Sequence, residues 1–155
     1  MAKPFVKWVG GKTQLLEEIR EKYPQAIEKY CEPFVGGGAV LFDILLKFQP
    51  KDVLINDINK DLINTYSQIK NNCENLIKEL LALQNIYRNQ ENNINKDFYL
   101  SKRERFNSLR LENDSEKLEK AALFIFLNKK HNNQQHFCCI CRALHPWLTL
   151  FDLPN

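Results

Sequence analysis

The chain has 155 residues, 44% of them hydrophobic and 26% charged, with a formal net charge of +3. That usage fits one globular domain with a real core and excludes disordered, collagen-like and coiled-coil classes. No run of about 18 apolar residues is present, and the amino end, MAKPFVKWVGGK, has no apolar signal core, so membrane and secreted readings fall away and the cytoplasm is the expected compartment.

The five glycines fall in two clusters, Gly10-Gly11 and Gly36-Gly37-Gly38. Glycine serves backbone at positive φ or backbone brought close to a ligand, so each cluster is a candidate binding loop, with a plain tight turn as the alternative. After the first cluster, Leu15, Leu16 and Ile19 among charged residues predict a short amphipathic helix over 15–22. Tyr30 to Val35 predicts a strand ended by glycines, Ala39 to Phe48 an apolar helix, and Val53 to Ile55 a second strand closed by Asn56-Asp57. Lys60 to Lys70 is again helical, with Leu62, Ile63, Tyr66 and Ile69 on one stripe. Strand, helix, strand, helix argues for a parallel α/β unit.

Leu76, Leu80, Leu83 and Tyr87 recur at helical spacing over 74–87, followed by an expected polar loop over 89–96, NQENNINK. Further helices are predicted over 97–109 and 114–130, the latter capped by Asn113 with Glu116 three residues on. Cys31 and Cys73 stand alone in apolar-patterned segments, where reduced, packed thiols are expected, and no disulfide framework is implied. Residues 131–155 carry only Arg142 and Asp152 as charges, yet hold all three histidines and three of the five cysteines. This shift predicts an aberrant tail, truncated or frame-shifted, with a short buried hairpin as the alternative. Its His131, His136, Cys138, Cys139, Cys141 and His145 are zinc-ligand types, but adjacent cysteines and a one-residue gap do not fit the usual CxxC spacing, so no metal site is expected.

Two motifs carry chemistry. Gly11-Lys12-Thr13 imitates the end of a phosphate-binding P-loop, which would require glycine at position 6, where the chain has Val6. What remains is a diglycine flanked by the indole of Trp8 and the ammonium of Lys12, or a surface turn. The second motif, EPFVGGGAVL over 32–41, sits between strand and helix, where a glycine turn lets helix N–H groups face a ligand. A dinucleotide fingerprint would ask for Gly or Ala at position 41, and Leu41 there favours an adenosyl ligand without a pyrophosphate. Asp57 follows Gly36 by 21 residues, at the end of the next strand, where a carboxylate can accept hydrogen bonds from both ribose hydroxyls. The alternative for Asp57 is a cap on the following helix.

PFVKWVGGK, EPFVGGGAVLF and NDINKDLINTY, in that order and spacing, resemble the Dam-like DNA adenine-N6 methyltransferases, and the resemblance runs from about Lys3 to Lys129. It implies an α/β, Rossmann-like S-adenosylmethionine (SAM)-dependent fold with a helical insert, divided into a SAM-binding part over 1–70, a helical DNA-recognition region over 71–130 and the tail over 131–155. It also implies that Trp8 and Lys12 contact the cofactor, that Phe34 to Gly38, including Gly36 and Gly38, shape its pocket, and that Asp57 holds the ribose. Duplex DNA would be the partner, with a cognate restriction endonuclease as a functional companion. Lys102, Arg103, Arg105 and Arg110, near Phe98, Tyr99 and Phe106, could meet DNA phosphates or form an ordinary solvated face.

One departure from the family is decisive for activity. Its catalytic Asp-Pro-Pro-Tyr is absent, because no two of the six prolines are adjacent. Adenine N6 is a poor nucleophile, its lone pair delocalised into the ring, and those groups would position it and accept its protons. The expectation is therefore an incomplete adenine-N6 methyltransferase that keeps part of a SAM pocket and does not methylate DNA alone. The competing expectation is a helical nucleic-acid-binding or regulatory fragment with no cofactor.

Overall fold

A computed structural model describes residues 6, 12–88 and 92–128. The chain starts with a 3-10 turn, Lys12–Leu15, that runs into a short helix α1, Leu16–Arg20. Strand β1, Lys29–Glu32, leads through the triple glycine into α2, Ala39–Phe48, and then to β2, Asp52–Ile55. Helices α3, Lys60–Asn71, α4, Cys73–Arg88, α5, Asn92–Ser108, and α6, Asp114–Asn128, complete the order. The expected α/β character is present: β1 and β2 pair in parallel, Tyr30 opposite Val53 and Glu32 opposite Ile55.

Residues two apart on a strand share a face. Val53 and Ile55 are buried on one face, while Cys31 and Leu54 on the other are exposed. Cys31 is thus not the packed thiol expected from its apolar neighbours, since its place in the alternation decides its side; Cys73 is buried as expected. β1 also ends three residues before the predicted Val35. Pro33 has no N–H for a ladder and the chain turns there, although Val35 N–H still donates to Asn56 O at 2.9 Å.

One apolar core joins the α/β part to the helices. Leu41, Phe42 and Leu45 of α2, Leu62, Tyr66 and Ile69 of α3, Leu76 and Leu80 of α4, and Leu123, Ile125 and Phe126 of α6 belong to a single buried cluster. The buried Asn64 side chain donates to Lys117 O at 2.8 Å, and Lys120 pairs with Asp61 at 3.1 Å, so α6 is fixed to α3 by polar bonds as well. Arg20 of α1 clamps Asp43 of α2 with contacts of 3.1, 3.1 and 2.5 Å.

The helical part departs from the sequence expectation at the start of α5 and in the detail of the α6 cap. The polar stretch predicted as a loop over 89–96 becomes helical from Asn92 onward, because polarity alone does not break a helix and the stretch contains neither proline nor glycine. The cap on α6 forms, with Glu116 N–H donating to Asn113 Oδ1 at 2.9 Å. The reciprocal half of a capping box does not; Glu116 Oε2 accepts from Arg110 and Glu112 N–H instead, at 3.2 and 3.4 Å, which ties down the α5–α6 connection.

Candidate functional site

The carboxyl ends of β1 and β2 bring the two conspicuous segments of the sequence together. Gly36 and Gly38 both adopt positive φ, 52° and 79°, conformations that cost other residues about 1–2 kcal/mol. Gly38 precedes the first turn of α2 and accepts from Phe42 N–H at 3.0 Å. A Cβ on Gly38 would lie 2.6 Å from both the Tyr66 hydroxyl and Phe42 Cε2. Glycine is required at this position by packing beneath the turn.

Tyr66 is fully buried, and its hydroxyl donates to Gly36 O at 3.0 Å. Burial, and next the charges of Glu32 and Asp57, push its ionisation well above the ordinary phenol range, so it remains a donor. In the preceding peptide group, Gly36 N–H donates to Asp57 Oδ2 at 3.0 Å, while Asp57 Oδ1 accepts from Asn59 N–H at 3.0 Å. The cap of α3 is Asn59, whose side chain accepts from Leu62 N–H at 3.0 Å. Asp57 therefore joins the glycine turn to the segment leading into α3, and does not cap the helix itself. A carboxylate offers about four acceptor directions, two of which are used here.

Glu32 ends β1 and is buried. Its Oε1 meets Lys12 Nζ at 2.5 Å and its Oε2 accepts from the Tyr30 hydroxyl at 2.8 Å. Lys12 Nζ also donates to Phe34 O at 2.8 Å, which sets its ammonium beside the start of the glycine turn. Burial, followed by the Glu32 charge, raises the Tyr30 phenol far above its usual range. Phe34 and Ile58, just outside the turn and just after Asp57, are exposed at 70% and 91%.

Of the sequence-predicted site residues, Lys12, Phe34, Gly36, Gly38 and Asp57 thus gather at one end of the two strands, and Trp8 lies outside the described residues. Sequence reasoning missed Glu32, Tyr30 and Tyr66 as site residues. Glu32 and Tyr30 could have been paired from their spacing on one strand face; Tyr66 looked like an ordinary member of an apolar stripe. Among the described residues no group of three or more potential metal ligands occurs, and the histidines and cysteines of the tail lie outside them.

The four basic residues that could meet phosphates or form a solvated face differ in what they touch. Arg105 is engaged in a bidentate bond to Glu119, at 2.8 and 2.7 Å, and Lys102 lies 5.1 Å from the centre of the Phe98 ring. Phe98, Tyr99 and Phe106 pack against the core. Arg103 and Arg110 are exposed.

A family model described as D12 class N6 adenine-specific DNA methyltransferase matches residues 8–134. The chain is 46% identical over 132 residues to type II methyltransferase M.MjaIII of Methanocaldococcus jannaschii, covering 82% of this chain and 45% of that protein. It is 39% identical over 125 residues to type II methyltransferase M1.LlaDCHI of Lactococcus lactis subsp. cremoris, covering 81% and 40%. A DNA adenine methylase of Haemophilus influenzae is 33% identical over 127 residues, covering 82% and 40%. The chain spans less than half the length of these relatives.

Proposed function

The chain belongs to the D12 class N6 adenine-specific DNA methyltransferase family, and from that premise we propose that its glycine turn binds S-adenosylmethionine for methylation of adenine N6 in duplex DNA. The observation that carries this reading is the 3.0 Å bond from Gly36 N–H to Asp57, which unites turn and carboxylate at the ends of two adjacent parallel strands. Ligands of open α/β sheets bind at such strand ends.

The residues present suit the group. Asp57, oriented by two backbone N–H bonds, keeps acceptor directions for a ribose diol. The Lys12 ammonium supplies positive charge for the amino-acid end, and exposed Phe34 and Ile58 supply apolar flanks for an adenine ring. When bound, SAM brings a methyl group on a sulfonium. The chain's own part is to bind and orient: Tyr66 props the turn from below, and Asp57 fixes it from the side.

The same reading includes a Rossmann-like architecture, with the SAM-binding part over 1–70 and a helical DNA-recognition region over 71–130 that presents Arg103 and Arg110 to phosphates. It includes a cytoplasmic setting; among the described residues no helix is long and apolar enough to cross a membrane. A cognate restriction endonuclease is a further part of the proposal, supported by the type II names of two relatives. Because no Pro-Pro pair exists in the sequence, the chain holds the donor side of the reaction and does not transfer methyl to DNA alone.

Calorimetry with SAM and with S-adenosylhomocysteine tests the reading: both bind, and Asp57→Ala weakens both. No heat with either ligand, together with retained binding to duplex DNA, would favour the cofactor-free nucleic-acid-binding alternative. Tritium transfer from labelled SAM to unmethylated duplex should remain at background, and robust incorporation would show that an acceptor site exists in this chain.

A further inference from the structure

We propose that Tyr30 is a positioning residue for the ligand-facing ammonium of Lys12, acting through Glu32 on adenosyl ligands that end in a carboxylate. The inference rests on the reading that the glycine turn binds SAM and adds a residue that never touches the ligand.

A buried carboxylate needs a hydrogen-bond partner at each oxygen. Glu32 is 5% exposed and has one at each: the Tyr30 hydroxyl at 2.8 Å on Oε2 and Lys12 Nζ at 2.5 Å on Oε1. Tyr30 and Glu32 lie two apart on β1 and share its face, so the strand itself presets their bond. With Oε2 occupied, Glu32 offers Lys12 a single oxygen in a fixed place. The ammonium then reaches its second acceptor, Phe34 O at 2.8 Å, two residues before Gly36.

An ammonium has three N–H donors. Two are committed to Glu32 and Phe34, and with the side chain 38% exposed the third is left for solvent or a ligand. A lysine stem is flexible, and holding its head at two acceptors removes most of the freedom that a ligand would otherwise have to freeze. The one anionic group of S-adenosylhomocysteine is its carboxylate, the natural acceptor for that third N–H. Tyr30 remains protonated throughout the neutral range, because burial and the Glu32 charge raise its ionisation far above it. Removing the hydroxyl leaves Oε2 bare, and Lys12 can then swing to bridge both oxygens and abandon the Phe34 carbonyl.

The test is calorimetry on the full 155-residue chain with two ligands: S-adenosylhomocysteine and its decarboxylated analogue, 5′-deoxy-5′-(3-aminopropylthio)adenosine, which keeps the amine and lacks only the carboxylate. Tyr30→Phe should raise the Kd of S-adenosylhomocysteine roughly three- to tenfold, the effect of one lost hydrogen bond, and leave that of the analogue unchanged. In a Lys12→Met background, Tyr30→Phe should have no further effect. Equal weakening for both ligands, or an undiminished effect in the Lys12→Met background, would assign Tyr30 a merely structural role and overturn the inference. Unchanged affinity for S-adenosylhomocysteine would overturn it too, with the SAM reading intact. Absence of binding by the unsubstituted chain would instead sink that reading, and the inference with it.

Discussion

The glycine turn and the helical layer of α4 to α6 are held together by different means. Around the turn, polar bonds from buried or partly buried side chains end on backbone atoms: Tyr66 on Gly36 O, Asp57 on Gly36 and Asn59 N–H, Lys12 on Phe34 O. In the helical layer, apolar side chains such as Leu80, Leu123 and Phe126 make the core, polar bonds to backbone such as Lys120 Nζ to Leu109 O at 2.8 Å supplement it, and its bidentate ion pair, Arg105 with Glu119, faces solvent. Backbone that is fixed by specific partners tolerates no change of shape, whereas a helix packed by apolar contact loses only what is removed. A ligand loop belongs to the first kind, because the backbone must already be in place when the ligand arrives.

If that contrast is right, Gly38→Ala should have the largest effect in the molecule. The methyl would sit 2.6 Å from the Tyr66 hydroxyl and from Phe42, at a φ of 79°. Left-handed backbone and forced repacking together should cost roughly 3 kcal/mol or more, read as a lowered midpoint of urea unfolding. A variant as stable as the parent would show that the turn is free to move and would break the comparison. Tyr66→Phe comes next. It leaves Gly36 O without this donor, at a cost of about 1–3 kcal/mol, and should weaken binding of S-adenosylhomocysteine along with stability. A comparable buried truncation in the helical layer, Leu80→Ala, should lower stability without a selective effect on that ligand.

The two regions also differed in how far the sequence revealed them. Local patterns were enough for α2, which begins and ends where the apolar run over 39–48 does, and for β2, α3 and the cap at Asn113. The segments of the site were legible too, since glycines at positive φ and a carboxylate closing the next strand leave marks in short windows. Their connections were not. Tyr66 meets Gly36 across 30 residues, and nothing in the stripe Leu62, Ile63, Tyr66, Ile69 distinguishes a tyrosine whose hydroxyl has a task from one that only fills space. Lys12 reaches Glu32 across 20 residues. The start of α5 is illegible for the opposite reason: a polar run looks like a loop, yet with neither proline nor glycine in it nothing in its sequence forbids a helix.

A smaller effect is expected where α1 meets α2, outside both regions. Hydrogen bonds from Arg20 hold the Asp43 carboxyl below its ordinary range. A carboxylate depressed in the folded chain adds stability that is fully present above its unfolded value, about 3.9, and is lost as pH falls through the folded value. Thermal unfolding followed from pH 6 to pH 2 should therefore show an acid limb that begins near pH 4, and Asp43→Asn should flatten it. An unchanged limb would move the acid sensitivity to other carboxylates. Tyr23, pushed up to about 12 by burial and then by Asp43, stays neutral throughout that range and cannot produce the limb.

The smallest effect should come from Arg105→Gln, although Arg105 makes one of the best-formed bonds in the molecule. Its guanidinium meets both oxygens of Glu119, at 2.8 and 2.7 Å, and by that geometry alone would rank beside the Asp57 bonds. Its setting reverses the ranking. The two side chains are 51% and 36% exposed, so water replaces the lost partner of Glu119 and no buried charge is left stranded. The expected outcome is a slight fall in melting temperature that shrinks further at 0.5 M salt, where screening already weakens the pair in the parent. A fall as large as that of Tyr66→Phe, and indifferent to salt, would mean that the helical layer depends on this exposed pair as much as the turn depends on its buried bonds. The same variant keeps Arg103 and Arg110 intact, so retained affinity for duplex DNA would assign Arg105 to the protein's own framework, and lost affinity would place it with Arg103 and Arg110 on the proposed phosphate-binding face.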